Sequence, residues 1–240
     1  TIPLVGIMQR ANWSTLWGDL TTGSSRDALQ LSLVCSLSAA ALSILFGTPL
    51  SWVLARTHLP GRPLIRGLVL LPMVLPPVVG GVALLAAFSL RSPIGGWLHD
   101  TLGIQLTFST AGAIVAETFV AMPFFVITVE GALRSMDLRF EDAAASLGAG
   151  RLTVFRRVTL PLIAPSVAAG AVLAWARALG EFGATITFSG NIAGRTQTLP
   201  LAVYLQLGTN QDTAIALSLV LLAVSLVVLI ALRDRWLTRA

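Results

Sequence analysis

Long uncharged runs, separated by short arginine-bearing segments, set the pattern of this 240-residue chain. A bilayer span needs ~20 predominantly apolar residues. Residues 28–55, 110–133 and 213–232 each reach that length, and 67–90 and 162–188 do so with interruptions. The 28–55 run is rich in Ser and Ala, which permit close helix packing, and its Gly47 and Pro49 predict a kink. Residues 67–90 contain Pro72, Pro76, Pro77, Gly80 and Gly81. Each proline removes a backbone donor, and freed carbonyls at membrane depth need protein or a wet cavity around them. The run therefore reads either as a broken helix beside a translocation path, with Pro76 and Pro77 on that path, or as a kink at a helix contact. Residues 9–27 read as a polar loop whose Trp13 and Trp17 suit a membrane interface. Residues 91–109 read as a loop with a short helix around Trp97, and 199–207 as a loop or re-entrant segment. Residues 1–8 are apolar but too short to span. They are compatible with the tail of a removed signal sequence, or with the end of a truncated first span.

Composition turns this pattern into a class. The chain is 55% hydrophobic and 11% charged, with a mean hydropathy of +0.82, whereas soluble domains carry about 25% charged residues. The expectation is an all-α integral membrane protein in which residues 1–240 form one transmembrane domain. All 16 basic residues are arginine. A phosphate-binding P-loop needs its lysine, so any ATP hydrolysis belongs to a partner. The arginines are spread over loops rather than gathered on one face, which argues against nucleic acid. The single cysteine, Cys35, lies in an apolar run and reads as a small packing residue. No metal-ligand spacing occurs.

Loop arginines orient the chain. Three lie within 56–66, five within 134–157 and three in the C-terminal tail, against two within 10–26 and one each at 91 and 195. The richer set belongs in the cytoplasm, which places the C-terminus there and Thr1 outside. An outside start beside an apolar stub implies five full spans plus a lost first one, hence six in the natural protein.

Three charges fall well inside the spans, and Glu130 lies near the end of one. Glu117 has no local partner and should face the bundle interior. Arg177 and Glu181 can neutralise each other on one helical face, with Gly180 and Gly183 thinning the neighbouring surface. They read either as gate or path residues or as a structural ion pair. Glu130 and Arg134 stand four apart in the favourable order and should pair at the interface. Neither His58 nor His99 lies in a span. Residues 189–200 form a glycine-bearing loop with Asn191, Arg195 and Thr196, fit for an outer gate or a delivering protein, or merely a polar turn.

The longest charged interruption runs from Phe140 to Pro161. Asp137 can cap a short helix there, Ala143, Ala144 and Ala145 favour it, and Gly148 suits a left-handed stop. A second segment, 152–158, follows, and Pro161 opens the next apolar run. Small alanines beside Leu147 and Phe155 suggest docking; an amphipathic surface loop is the plainer reading.

The spacing Asp142-Ala143-Ala144, three residues, Gly148, nine residues, Val158-Thr159-Leu160-Pro161 resembles the signature loop of ABC-importer permeases. Asp142 stands where that family has Glu, and Val158 where it has Ile; Glu141 is adjacent. The stretch ARALGEFGATITFSGNIAGRTQTLPLAVYLQL and the run LPMVLPPVVGGVALL resemble molybdate ABC-transporter permeases, whose close relatives carry sulfate and tungstate. The resemblance implies a type I permease bundle in the bacterial plasma (inner) membrane. It implies import of a tetrahedral oxyanion, most often molybdate, by a homodimer of permeases with two cytoplasmic ATPase subunits and an extracytoplasmic substrate-binding protein. ATP and magnesium would sit on the ATPase subunits and no cofactor on this chain. Residues 134–161 would be the coupling loop, with Glu141, Asp142, Ala143, Ala144, Gly148, Leu160 and Pro161 facing the ATPase. A secondary transporter would fit the broken helix and buried charges but gives no reason for this loop. An intramembrane enzyme would need a catalytic set that is not visible at membrane depth.

Overall fold

The computed structural model describes residues 2–57 and 59–237, the side chains of 229 and 231–240 excepted. Thr1, His58 and Arg239 lie outside the described residues, as do the side chains of Arg233 and Arg235. The described residues contain helices and turns and no strand. Helix α1 (Ile2–Arg10) covers most of the apolar stub. The expected polar loop 9–27 is largely helical instead: α2 spans Leu16–Thr21 and α3 begins at Gly23. Local capping explains this. The Ser25 N–H donates to Thr22 Oγ1 at 3.4 Å, starting α3 one turn before the apolar run. Thr213 Oγ1 donates to Asp19 Oδ1 at 3.0 Å, tying α2 to the last span.

Helix α3 (Gly23–Arg56) runs through Gly47 and Pro49 without a break. Its buried face repeats small residues every three or four positions: Ser25, Ala28, Ser32, Cys35, Ala39, Ser43, Gly47 and Ser51. That stripe lets a neighbouring backbone approach, and a β-carbon at Gly47 would stand 2.6 Å from Phe125 Cδ1.

The 67–90 run is broken, as the first of its two readings had it: α4 (Arg62–Val74) and α5 (Pro77–Phe88) meet at a bend of 120°. The cause is local. Leu75 and Pro76 each precede a proline and are forced out of the helical region, to ψ 136° and 130°. Pro77 then occupies the first turn of α5, where its missing N–H costs nothing. Helix α6 (Pro93–Leu102) contains Trp97, and α7 (Thr110–Ser135) is capped by Ser109 Oγ.

Beyond α7 come α8 (Arg139–Ser146) and α9 (Arg151–Val154), then a π-helical turn over Phe155–Thr159 that leads without interruption into α10 (Leu160–Leu179). The second signature-loop segment is thus not separate from the span, and Pro161 does not end it; residues 151–179 form one helix. A proline ring clashes with the carbonyl four residues back. The widened π turn sits in that place, with the Leu160 N–H bonding to Phe155 O. The expected 162–188 span stops early. After Gly180 the chain leaves the helix, and α11 (Gly183–Ser189) restarts it. Residues 199–207, expected as a loop or re-entrant segment, form the short helix α12 (Leu199–Gln206), and α13 (Gln211–Leu237) is the last span.

Among the described residues, four helices are long and apolar enough to cross a membrane, and the bent α4–α5 pair is a fifth if counted as one. Helix α7 is the central post. Ala121, Phe125, Val129 and Leu133 on it pack with Ala39 of α3 and with Ile163, Ala174 and Ala178 of α10.

Candidate functional site

At mid-bundle the two broken helices meet. A β-carbon at Gly81 on α5 would stand 2.9 Å from the Ala184 carbonyl of α11, so these backbones touch. Leu84 of α5, Ala116 and Val120 of α7, and Ala184 and Phe188 of α11 close the packing around them. The sequence separates Pro76–Pro77 from Arg177–Glu181 by a hundred residues; the fold brings the two breaks together. Pro76 and Pro77 themselves are exposed.

Arg177 lies in the last turn of α10 and Glu181 in the break, so they do not share a continuous helix as expected. They pair all the same, Nη2 to Oε2 at 2.6 Å, with Glu181 1% exposed. Glu181 Oε1 accepts the Ala184 N–H at 2.8 Å and so caps the start of α11. The ion pair is therefore also the hinge fitting of a helix break. Glu117 on α7 is 1% exposed, and its Oε2 meets no hydrogen-bond donor among the described residues. The same holds for the buried hydroxyls of Thr185, Ser189 and Thr198.

The 189–200 loop turns inward more than its polarity suggests. The N–H groups of Arg195, Thr196 and Gln197 all donate to Ile192 O, and Thr196 Oγ1 accepts from the Ile192 N–H at 2.9 Å. Thr196 is fully buried, and Asn191 is held by Gln197 Nε2 at 2.9 Å. Of the three residues singled out in this loop, only Arg195 is exposed.

At the opposite end of α7, α8 presents Asp142, Ala143 and a 90% exposed Leu147. Gly148 ends it at φ +85°. Ala144 and Leu160 are half-buried, and Pro161 is exposed. Glu141 points the other way. It accepts from Thr159 Oγ1 at 2.7 Å and pairs with Arg56 Nη2 at 3.4 Å. Phe155, expected as a free docking knob, stacks edge-on against Trp52 with centroids 5.2 Å apart. Trp52, Glu141 and Phe155 border an open groove of about 1070 Å³ between α3 and the α8–α9 turn. Sequence reasoning missed Arg56, Arg66 and Thr159 as partners. The expected Glu130–Arg134 pair forms, at 2.6 Å, with Glu130 1% exposed. The Glu130–Arg134 spacing was a visible signal; the contact with Arg66 had none.

A multi-pass helical bundle whose broken helices meet at its centre, with an exposed short helix at one end, is the architecture of a membrane transport subunit. Residues 47–240 match the model of the binding-protein-dependent transport system inner membrane component, and the chain belongs to that family. It is thus an ABC importer permease subunit. It is 49% identical over 236 residues to the molybdenum transport system permease protein ModB of Mycobacterium tuberculosis, covering 98% of this chain and 88% of that protein. It is 35% identical to the sulfate transport system permease protein CysT of Salmonella typhimurium, covering 95% and 83%. The fold matches the crystal structure of a bacterial ABC transporter involved in alginate import, with TM-score 0.74, 20% identity, and 99% and 90% coverage. Nothing in these similarities supports a carrier driven by an ion gradient.

Proposed function

We propose that this chain is the membrane-spanning subunit of an ATP-driven importer of molybdate, working as a homodimer with two cytoplasmic ATPase subunits and an extracytoplasmic binding protein. The observation that carries the substrate is the 49% identity to a molybdenum permease, against 35% to a sulfate permease. In this reading the bent α4–α5 pair counts as a fifth span, and the arginine-rich end of the bundle, with the C-terminus, faces the cytoplasm.

The mechanism follows from where the charges sit. Helix α8 docks on the ATPase through Asp142, Ala143, Ala144 and Leu147, with Gly148 shaping its end and Leu160–Pro161 carrying the motion into α10. Glu141 does not reach out; it holds the docking helix to α3 and to the π turn. Nucleotide and magnesium stay on the ATPase, and this chain supplies no group for hydrolysis. The touching breaks at Pro77 and Gly183 form the moving part, and the Arg177–Glu181 pair fixes the α11 side of it. While paired, Arg177 exerts little net pull on an anion, so affinity resides in the delivering protein. Glu117, buried on α7 with one carboxylate oxygen unpartnered, lines the path behind this gate. Arg195 is the exposed cation of the outer loop and meets the delivering protein, while Asn191 and Thr196 shape that loop.

Uptake of labelled molybdate in membranes containing the full complex tests the reading. Tungstate should compete nearly as well as unlabelled molybdate, and sulfate only weakly. Sulfate competing on equal terms would move the assignment to the sulfate branch.

A further inference from the structure

Glu130 on α7 is almost fully buried, and each of its carboxylate oxygens faces a guanidinium from a different helix. Oε1 stands 2.6 Å from Arg134 Nη2, one turn along α7, and Oε2 stands 3.3 Å from Arg66 Nε on α4. These are charge contacts whose angles are not those of hydrogen bonds. Arg134 Nη2 also donates to Leu54 O, in the last turn of α3, at 3.4 Å. Two residues on, Arg56 pairs with Glu141 of α8. Polar contacts thus run from α8, through the last turn of α3 and the end of α7, to the first turns of α4.

Arg134 alone balances the formal charge of Glu130, but a buried carboxylate also needs partners for its remaining lone pairs, and Arg66 faces the second oxygen. The second guanidinium comes from the one long helix at this end that buries none of its own residues: α4 has no buried position. Its apolar side chains do not lock it into the core, so the Arg66–Glu130 contact is its directional hold on α7. Helix α4 leads straight into the Leu75–Pro76 bend and the break against α11.

We propose that Glu130 and Arg66 are positioning residues that make α4 follow the α8 end of the bundle. Displacement of α8 by a docked ATPase then reaches the Pro76–Pro77 bend. This rests on the importer reading above.

Two measurements on the reconstituted complex test it: amide exchange across residues 62–74, and ATP hydrolysis with and without substrate-loaded binding protein. Arg66→Gln removes the α4 arm and leaves Glu130 paired with Arg134. It should speed exchange in α4 and cut the stimulation of hydrolysis by about fivefold or more, at unchanged basal hydrolysis. Arg66→Lys, which restores the charge, should recover part of both. Wild-type exchange in Arg66→Gln would overturn the proposal. So would faster exchange with full stimulation, which would reduce the pair to a clamp. Glu130→Asp keeps the charge but shortens the reach; it should give the same split, and it decides the matter if Arg66→Gln does not assemble. A wild-type complex that shows no stimulation counts against the importer reading, while the exchange measurement still judges the tie.

Discussion

Gly183 lies against Pro77: a β-carbon at Gly183 would stand 2.8 Å from Pro77 Cβ and 3.1 Å from the Val78 amide nitrogen. The last proline of one helix break is thus seated on the first residue after the other. Each break has its own cause, consecutive prolines in one and a glycine followed by an inward carboxylate in the other. Their apposition makes them one mechanical element. A shift of α4 at the first break moves the residue against which α11 begins.

The neighbouring glycines Gly80 and Gly81 provide a controlled comparison on α5. A β-carbon at Gly81 would meet Thr187 Cβ at 2.6 Å and the Ala184 carbonyl oxygen at 2.9 Å. At Gly80 it would meet only the edge of the Phe119 ring, at 3.1 Å. Overpacking against backbone costs about 1–3 kcal/mol, while Gly→Ala inside a helix gains up to about 1 kcal/mol. Gly81→Ala should therefore lower the thermal midpoint of the purified chain and reduce transport. Gly80→Ala should leave both near wild type. Equal effects of the two would show that the α5–α11 contact is looser than these distances.

The Arg177–Glu181 pair can be divided into its two jobs. Glu181→Gln loses the ion pair but keeps a side-chain oxygen for the Ala184 N–H. Glu181→Ala loses both. Removing one partner of a buried pair costs about 3–5 kcal/mol, and an N-cap about 0.5–2 kcal/mol. Thermal unfolding should therefore rank wild type above Glu181→Gln, and Glu181→Gln above Glu181→Ala. The double variant Arg177→Ala/Glu181→Ala should be less destabilised than the sum of the single changes, because neither charge is then left alone. Additive losses would mean that the 2.6 Å contact carries little energy.

What the sequence revealed was local. The small-residue stripe of α3, the span of α7 and the left-handed stop at Gly148 each follow from residues within a few positions of one another. So does the bend after α4, because a residue preceding proline is steered out of the helix. What remained hidden was long-range. The pairs Arg56–Glu141, Arg66–Glu130 and Pro77–Gly183 join segments far apart in the chain, and no periodicity encodes them. Polarity misled in two places. Thr196 looked like an exposed donor, but its hydroxyl closes its own loop on the Ile192 N–H. Glu141 looked like part of a docking surface, but Thr159 and Arg56 hold it inward. The run-on from α9 into α10 escaped because a proline usually marks a helix start; here a π turn absorbs it.

Gly148 allows the docking role of α8 to be tested apart from membrane insertion. Its φ of +85° lies in the left-handed region, and the Ala149 N–H donates back across the turn to Ala144 O at 3.1 Å. Nothing lies within 4 Å of a β-carbon built there. Space is therefore free, and the penalty for substitution is conformational alone. An L residue in this region pays roughly 1–2 kcal/mol; β-branched residues fare worst and asparagine best. Gly148→Val should unwind the end of α8 and move Leu147 off the surface it presents, while Gly148→Asn should hold the turn. Both variants should insert in the membrane like wild type, since α8 buries no residue. Co-purification with the ATPase subunit should fall sharply for Gly148→Val and stay close to wild type for Gly148→Asn. If the valine variant retained the ATPase fully, the partner would be reading some other surface of the bundle.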